Sequence, residues 1–226
     1  MRPIKIVKNY IEHAEGSCLY SSGNTVALCV ATVEEKVPPF IEKKVPVQGW
    51  VTAEYAMLPR AGIERSPRAK TSSGGRAQEI SRLIGRSLRA VVDMQKLGKR
   101  TITLDCDVIK ADGGTRTACV NGAFIALSMA LKKLYKEGKI AENPLLDNVG
   151  AVSVGMVDGK LAVDLCYEQD VKADVDLNVV MTGRGRLIEV QGTAEHKPFT
   201  RKELDKMVDA AASAIKKIIA LQKKAL

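Results

Sequence analysis

The chain has 226 residues, enough to bury a sizeable core as one domain, and its 46% hydrophobic and 27% charged content is that of a globular protein. Lys and Arg outnumber Asp and Glu by 35 to 26, and this net charge of +9 fits either a polyanionic partner or simply a basic, solvated surface. Five scattered cysteines without a C-x-x-C pair argue against zinc ligation and a closed disulfide framework, and no apolar run suits a signal core or a membrane span, so a cytoplasmic protein is expected.

In chain order, Ser17–Tyr20 and Thr25–Thr32 read as strands around the turn Ser21-Ser22-Gly23-Asn24. Glu34–Pro46, charged and proline-bearing, predicts an exposed loop. Arg60–Gly75, rich in Arg, Ser and Gly without hydrophobic periodicity, predicts a mobile one. From Arg76 to Leu97 the stripe Ile80, Leu83, Ile84, Leu88 and Val91 predicts a helix stopped by Gly98. Thr101–Ile109 alternates as a half-buried strand, with Ile102, Leu104, Cys106 and Val108 on the inner face. A second helix, Thr115–Lys136, is apolar on nearly all sides through Leu131 and should be central. Two hairpins follow: Ala151–Val157 with Leu161–Tyr167, and Val175–Thr182 with Arg186–Gly192 around Gly183-Arg184-Gly185. The last helix opens with the capping box Thr200-x-x-Glu203. The fold class is α+β, in one compact unit spanning 1–226.

Three features carry chemistry. Asp112-Gly113-Gly114-Thr115-Arg116 lies between a strand and the buried helix. Its glycines allow a tight turn, the helix start offers N–H groups and partial positive charge, and Thr115 and Arg116 add a hydroxyl and a guanidinium. That is a phosphate cradle, or else an ordinary strand-to-helix turn. Ser72-Ser73-Gly74-Gly75-Arg76 repeats the pattern, within a run of seven arginines from Arg60 to Arg89. Among them Arg82, Arg86 and Arg89 share a helix face. Glu168, Asp170, Asp174 and Asp176 form an acidic cluster across a loop and the next strand, fit for Mg²⁺ or for proton donation, or for nothing beyond turn formation. His13 and His196, far apart and without a nucleophile beside them, read as structural or surface residues.

With those segments identified, the chain resembles the bacterial ribonuclease PH family, phosphorolytic tRNA nucleotidyltransferases. The matching stretches are Arg2-Pro3, His13–Ser17, Gln48–Tyr55, Met57–Arg60, Gly74–Arg76, Leu104–Val108, Ala111–Thr117, Asp176-x-Asn178-Val179-Val180 and Ile188–Glu195, in order along nearly the whole chain. The resemblance implies a ribosomal-protein-S5-domain-2-like fold in a homohexamer built as a trimer of dimers. It implies an exonuclease in which inorganic phosphate releases 3′-terminal nucleotides of tRNA and other structured RNAs as nucleoside diphosphates. Its phosphate site falls on Arg76, Gly114, Thr115 and Arg116, and its catalytic, Mg²⁺-associated aspartates on Asp170 and Asp176. Its RNA-contacting loop falls on Arg60, Arg65 and Arg68, with Arg82 added from the basic helix face. Two departures stand out: the family carries a further segment before Arg2-Pro3, and the RNA-contacting loop Ala61–Ser73 is shorter than the family's and contains Pro67. The competing readings are a non-catalytic RNA-binding ring subunit and a phosphate-loop enzyme acting on nucleotides or polyphosphate.

Overall fold

The computed structural model describes residues 1–226. Strands β1 (Ile4–Lys8), β2 (Gly16–Ser22), β3 (Thr25–Glu34), β4 (Trp50–Met57) and β5 (Thr101–Lys110) form a five-stranded sheet in the order β1-β2-β3-β5-β4. Neighbours are antiparallel except β4 and β5. A parallel pair needs a crossover connection. Here it carries α2 (Arg68–Ser73), α3 (Gly75–Arg89) and α4 (Met94–Leu97); the shorter α1 (Pro39–Glu42) precedes β4. The alternation read in β5 holds, since Ile102, Leu104, Cys106 and Val108 are at most 1% exposed.

Helix α5 (Thr115–Lys136) spans the predicted residues and packs on β2, β3 and β5 on one side. On its other side it reaches β6 (Val149–Val157) of a second sheet. A small residue permits the close approach to the first sheet: a Cβ at Gly122 would lie 2.7 Å from Cys29 Sγ of β3. The second sheet is antiparallel, in the order β7-β6-β8-β9, with β7 (Lys160–Val163), β8 (Ala173–Thr182) and β9 (Leu187–Ala194). Between β7 and β8 lies the short α6 (Tyr167–Lys172). Helix α7 (Arg201–Ala225), capped by Thr200 and Glu203 as read, packs Met207, Ala211, Ile215 and Ile218 against Val152, Val154, Val175 and Leu177. Each of the Met, Ile, Val and Leu side chains contributes roughly 1.5–3 kcal/mol by leaving water. No helix is long and apolar enough to cross a membrane.

One buried amide stitches α5 to the second sheet. Asn121, 2% exposed, donates to the Ala151 carbonyl at 2.9 Å and accepts from the Ala151 N–H at 2.8 Å. An apolar replacement strands both backbone groups. Asn121→Leu is therefore expected to lower the unfolding free energy by about 2–4 kcal/mol, read as a lower denaturant midpoint at unchanged slope.

Four local expectations change. The helix from Arg76 ends at Arg89 instead of Leu97, because Val92 bridges Leu145 and the Asp93 N–H bonds Pro144 O at 2.8 Å. Asp93 then caps α4 through Gln95 N and Lys96 N. The Arg60–Gly75 loop contains α2, started by Pro67; its side chains bury nothing, so it shows no periodicity. Glu34–Pro46 holds α1, which buries Ile41. Finally, the second hairpin arm stops at Val163 and Tyr167 opens α6, so Glu168 and Asp170 sit on a helix instead of in a loop.

Candidate active site

The turn after β5 is held in the left-handed region, with φ of 71° at Gly113 and 61° at Gly114. Glycine suits these angles, and at Gly113 it is also required by space: a Cβ would lie 2.4 Å from Leu165 O. Gly114 is the N-cap of α5, and no side chain caps the first turn. The N–H groups of that turn therefore face outward with the positive end of the helix dipole. The start of α3 likewise lacks a side-chain cap, but its glycines differ from those of α5. Gly74 has an extended backbone, and a Cβ there would press on Lys70 O at 2.7 Å. Close approach, and not a left-handed turn, explains that glycine.

Arg116, in the first turn of α5, points along the cleft wall with 16% of its side chain exposed. It donates to Gln191 Oε1 of β9 and lies 3.8 Å from the Glu79 carboxylate of α3. Gln191 Nε2 closes the triangle by donating to Glu79 Oε1 at 3.1 Å. Beside them Tyr55 of β4 donates to Thr115 Oγ1 at 3.0 Å. Burial pushes the Tyr55 phenol well above its usual range, so it stays neutral.

The two aspartates approach from the second sheet. Asp176 lies on β8, paired with Gly155 and Thr193, while Asp170 lies on α6. Both carboxyls are pushed up from the ordinary aspartate value. For Asp176 the cause is partial loss of water, then the charges of Asp170 and Glu195; for Asp170 it is partial loss of water, opposed by Arg76 and Arg116. No group of three or more His, Cys, Asp or Glu side chains is arranged to hold a metal.

Arg76, Gly114, Thr115, Arg116, Asp170 and Asp176 all line one cleft of about 1010 Å³. Its wall also includes residues that sequence reasoning did not select: Glu79, Ser153, Asn178, Gln191, Thr193, Glu195 and His196. Most are ordinary polar residues on strands or at strand ends, which no local pattern marks. His196, read as a surface or structural residue, is one of the cleft residues. Arg60, Arg65, Arg68 and Arg82 do not line the cleft, although Gly62, Ile63 and Glu64 of the same loop do. Two other arginines of the basic run serve the fold. Arg86 makes paired hydrogen bonds to Glu189 of β9 at 2.8 and 2.9 Å, and Arg89 stacks 4.4 Å from the Trp50 ring centre.

Residues 1–133 match the sequence pattern of the 3′ exoribonuclease family, domain 1, and residues 147–214 that of domain 2 of the same family. The chain is 55% identical over 228 residues to ribonuclease PH of Moorella thermoacetica, an alignment covering 100% of this chain and 90% of that protein. The chain belongs to the ribonuclease PH family. A second ribonuclease PH, from Bacillus pumilus, is 52% identical over 226 residues, covering 99% of this chain and 93% of the relative. The ribonuclease PH fold is shared with more distant solved structures. One is rice (Oryza sativa) Rrp46, with a TM-score of 0.79 at 16% identity, covering 99% of this chain and 94% of that one. Another is the Archaeoglobus fulgidus exosome with RNA bound to the active site, with a TM-score of 0.78 at 22% identity, covering 100% and 89%.

Proposed function

We propose that this chain is a phosphate-dependent 3′→5′ exoribonuclease that removes 3′-terminal nucleotides from tRNA precursors and other RNAs as nucleoside diphosphates. The observation that carries the reading is one cleft, in a ribonuclease PH family member, that gathers two arginines, an uncapped helix start and two carboxyls.

Inorganic phosphate rests against the first-turn N–H groups of α5, beside Gly114 and Thr115, with Arg76 and Arg116 supplying guanidinium donors. Held there, a phosphate oxygen attacks the phosphorus of the last phosphodiester. A P–O bond forms to the incoming phosphate and the bond to the preceding 3′ oxygen breaks. That oxygen leaves with a proton, so the products are a nucleoside diphosphate and an RNA one nucleotide shorter. One phosphate linkage replaces another, and excess nucleoside diphosphate drives the reaction backwards.

Asp170 and Asp176 line the cleft with the phosphate-site residues, where one carboxyl, or a water beside it, would deliver a proton to the leaving oxygen. The pair also suits Mg²⁺, which needs only one or two protein carboxylates and completes its shell with water and substrate phosphate. Asp170 and Asp176 would hold the ion, which would supply positive charge near the phosphoryl oxygens.

The RNA body is read as lying across Arg60, Arg65, Arg68 and Arg82. RNA affinity should fall steeply with salt, and each single Arg→Ala variant should flatten the log–log salt slope by roughly 0.7. An unchanged slope in all four would remove the loop from the RNA path. We read residues 1–226 as one cytoplasmic domain that assembles into a homohexamer, a trimer of dimers. Exposed apolar residues such as Phe40, Leu187 and Val190 support assembly. Light scattering should return the mass of six chains.

The deciding assay is incubation of the protein with Mg²⁺ and a 3′-extended tRNA, with and without inorganic phosphate. Nucleoside diphosphates released only with phosphate are expected. Monophosphates formed without it would mean hydrolysis, and bound RNA without product would mean a binding subunit.

A further inference from the structure

We infer that the Arg2–Asp164 pair is a positioning device for the reaction, clamping the phosphate-binding turn to the helix that carries Asp170. The inference rests on the phosphorolytic reading above. Neither residue lines the cleft; both act from behind its wall.

Arg2 stands at the start of the chain and reaches two distant loops. Its Nη1 donates to the Asp112 carbonyl at 2.5 Å and its Nη2 to Asp164 Oδ1 at 2.6 Å, while its own backbone N–H donates to Asp164 Oδ2 at 2.9 Å. Ser22 Oγ donates to the same Oδ2 at 2.9 Å. The two side chains are only 16% and 7% exposed. A pair this desolvated is sensitive to geometry, because losing either partner strands a buried charge.

Around this pair the two loops share anchors. Asp164 is held at φ 64°, with its N–H bonded to Ser153 O at 2.6 Å. Three residues later α6 begins, and the Tyr167 N–H donates to Asp112 Oδ1 at 3.1 Å. Thr25 Oγ1 donates to the Gly113 carbonyl at 2.6 Å and accepts from the Asp112 N–H at 3.1 Å. The close approach of Gly113 to Leu165 O leaves no room for a side chain between the loops. Thus the turn that aims the first N–H groups of α5 and the helix that carries Asp170 are braced on one buried ion pair. Moving either loop misaligns phosphate against the carboxyls, and a shift of about 1 Å in such a site can reduce rate by about 100-fold.

The test compares Arg2→Lys and Asp164→Asn with the parent. The lysine variant keeps the charge, but a single nitrogen cannot serve both Asp112 and Asp164. The asparagine variant keeps the shape and loses the charge. In folded protein, checked by circular dichroism at the assay temperature, both should show kcat lowered about 10- to 100-fold and a phosphate KM raised about tenfold. RNA affinity measured without phosphate should match the parent, which a general loss of structure would not allow. Parental kcat and phosphate KM in either folded variant would overturn the inference. Failure of both variants to fold would also overturn it, leaving the pair a structural brace. A parent that releases no diphosphates with phosphate would sink the phosphorolytic reading and this inference with it.

Discussion

Asp176→Asn is expected to lower kcat by about 10²–10⁴-fold, the usual worth of a positioned proton-transfer or charge-stabilising group, while leaving RNA binding intact. The substitution removes a negative charge from the path of a polyanion, so RNA affinity measured without turnover should stay equal or tighten slightly. It should also raise thermal stability at neutral pH. Partial loss of water and the charges of Asp170 and Glu195 hold the folded-state pKa of Asp176 above its ordinary value. A group with a raised folded pKa stabilises the protein below its unfolded pKa and loses that contribution as pH rises through the folded value. At pH 7 the ionised Asp176 is therefore a net burden that Asn relieves. The gain in melting temperature should disappear on acidification towards about pH 4, where unfolded aspartates take up protons. Full activity in Asp176→Ala would remove Asp176 from the mechanism; a melting temperature lower than the parent's at pH 7 would contradict the electrostatic account.

Arg116→Gln is expected to raise the KM for phosphate by about 100-fold, with a smaller change in the KM for RNA. Two charge-assisted hydrogen bonds to one anion are together worth roughly 3 kcal/mol, or about two powers of ten in affinity. The expected loss also has a repulsive part. Arg116 lies 3.8 Å from Glu79, and removing the guanidinium leaves that carboxylate facing the incoming phosphate. The double variant Arg116→Gln with Glu79→Gln should therefore bind phosphate better than Arg116→Gln alone, a non-additivity that a double-mutant cycle measures. A phosphate KM unchanged in Arg116→Gln would place the anion elsewhere. Additive effects in the cycle would show that Glu79 and Arg116 do not share the site.

The central helix was legible residue by residue, because Thr115–Lys136 is apolar on nearly all sides and only a helix buried between layers tolerates that. The alternating strand β5, the capping box at Thr200 and the hairpin turns at Gly23 and Gly185 were equally plain, since period and turn chemistry act over a few residues. Arg76, Gly114, Thr115 and Arg116 could be named as candidates from glycine-flanked arginines, whereas Asp170 and Asp176 were singled out of the acidic cluster only by family likeness. What local pattern missed is what distant chain decides. Helix α3 stops at Arg89 because residues 144–146 bond the backbone of 91–93, a partner some fifty positions away that no periodicity announces. Helix α6 buries none of its own side chains, so Tyr167 read as the end of a strand and Glu168–Lys172 as loop, whereas Asp112 from another layer accepts the Tyr167 N–H at the helix start.

The sequence by itself determined most of the elements and offered the candidate groups, because hydrophobic period, glycine freedom and charge are properties of neighbouring residues. Tertiary structure alone decided which groups meet. It set Arg116 against Gln191 and Glu79, seated Tyr55 on Thr115, paired Arg86 with Glu189 and laid Arg89 over Trp50. It also brought Arg2 beneath a turn more than a hundred residues away. Buried polar groups must find partners wherever packing places them, and packing answers to the whole chain.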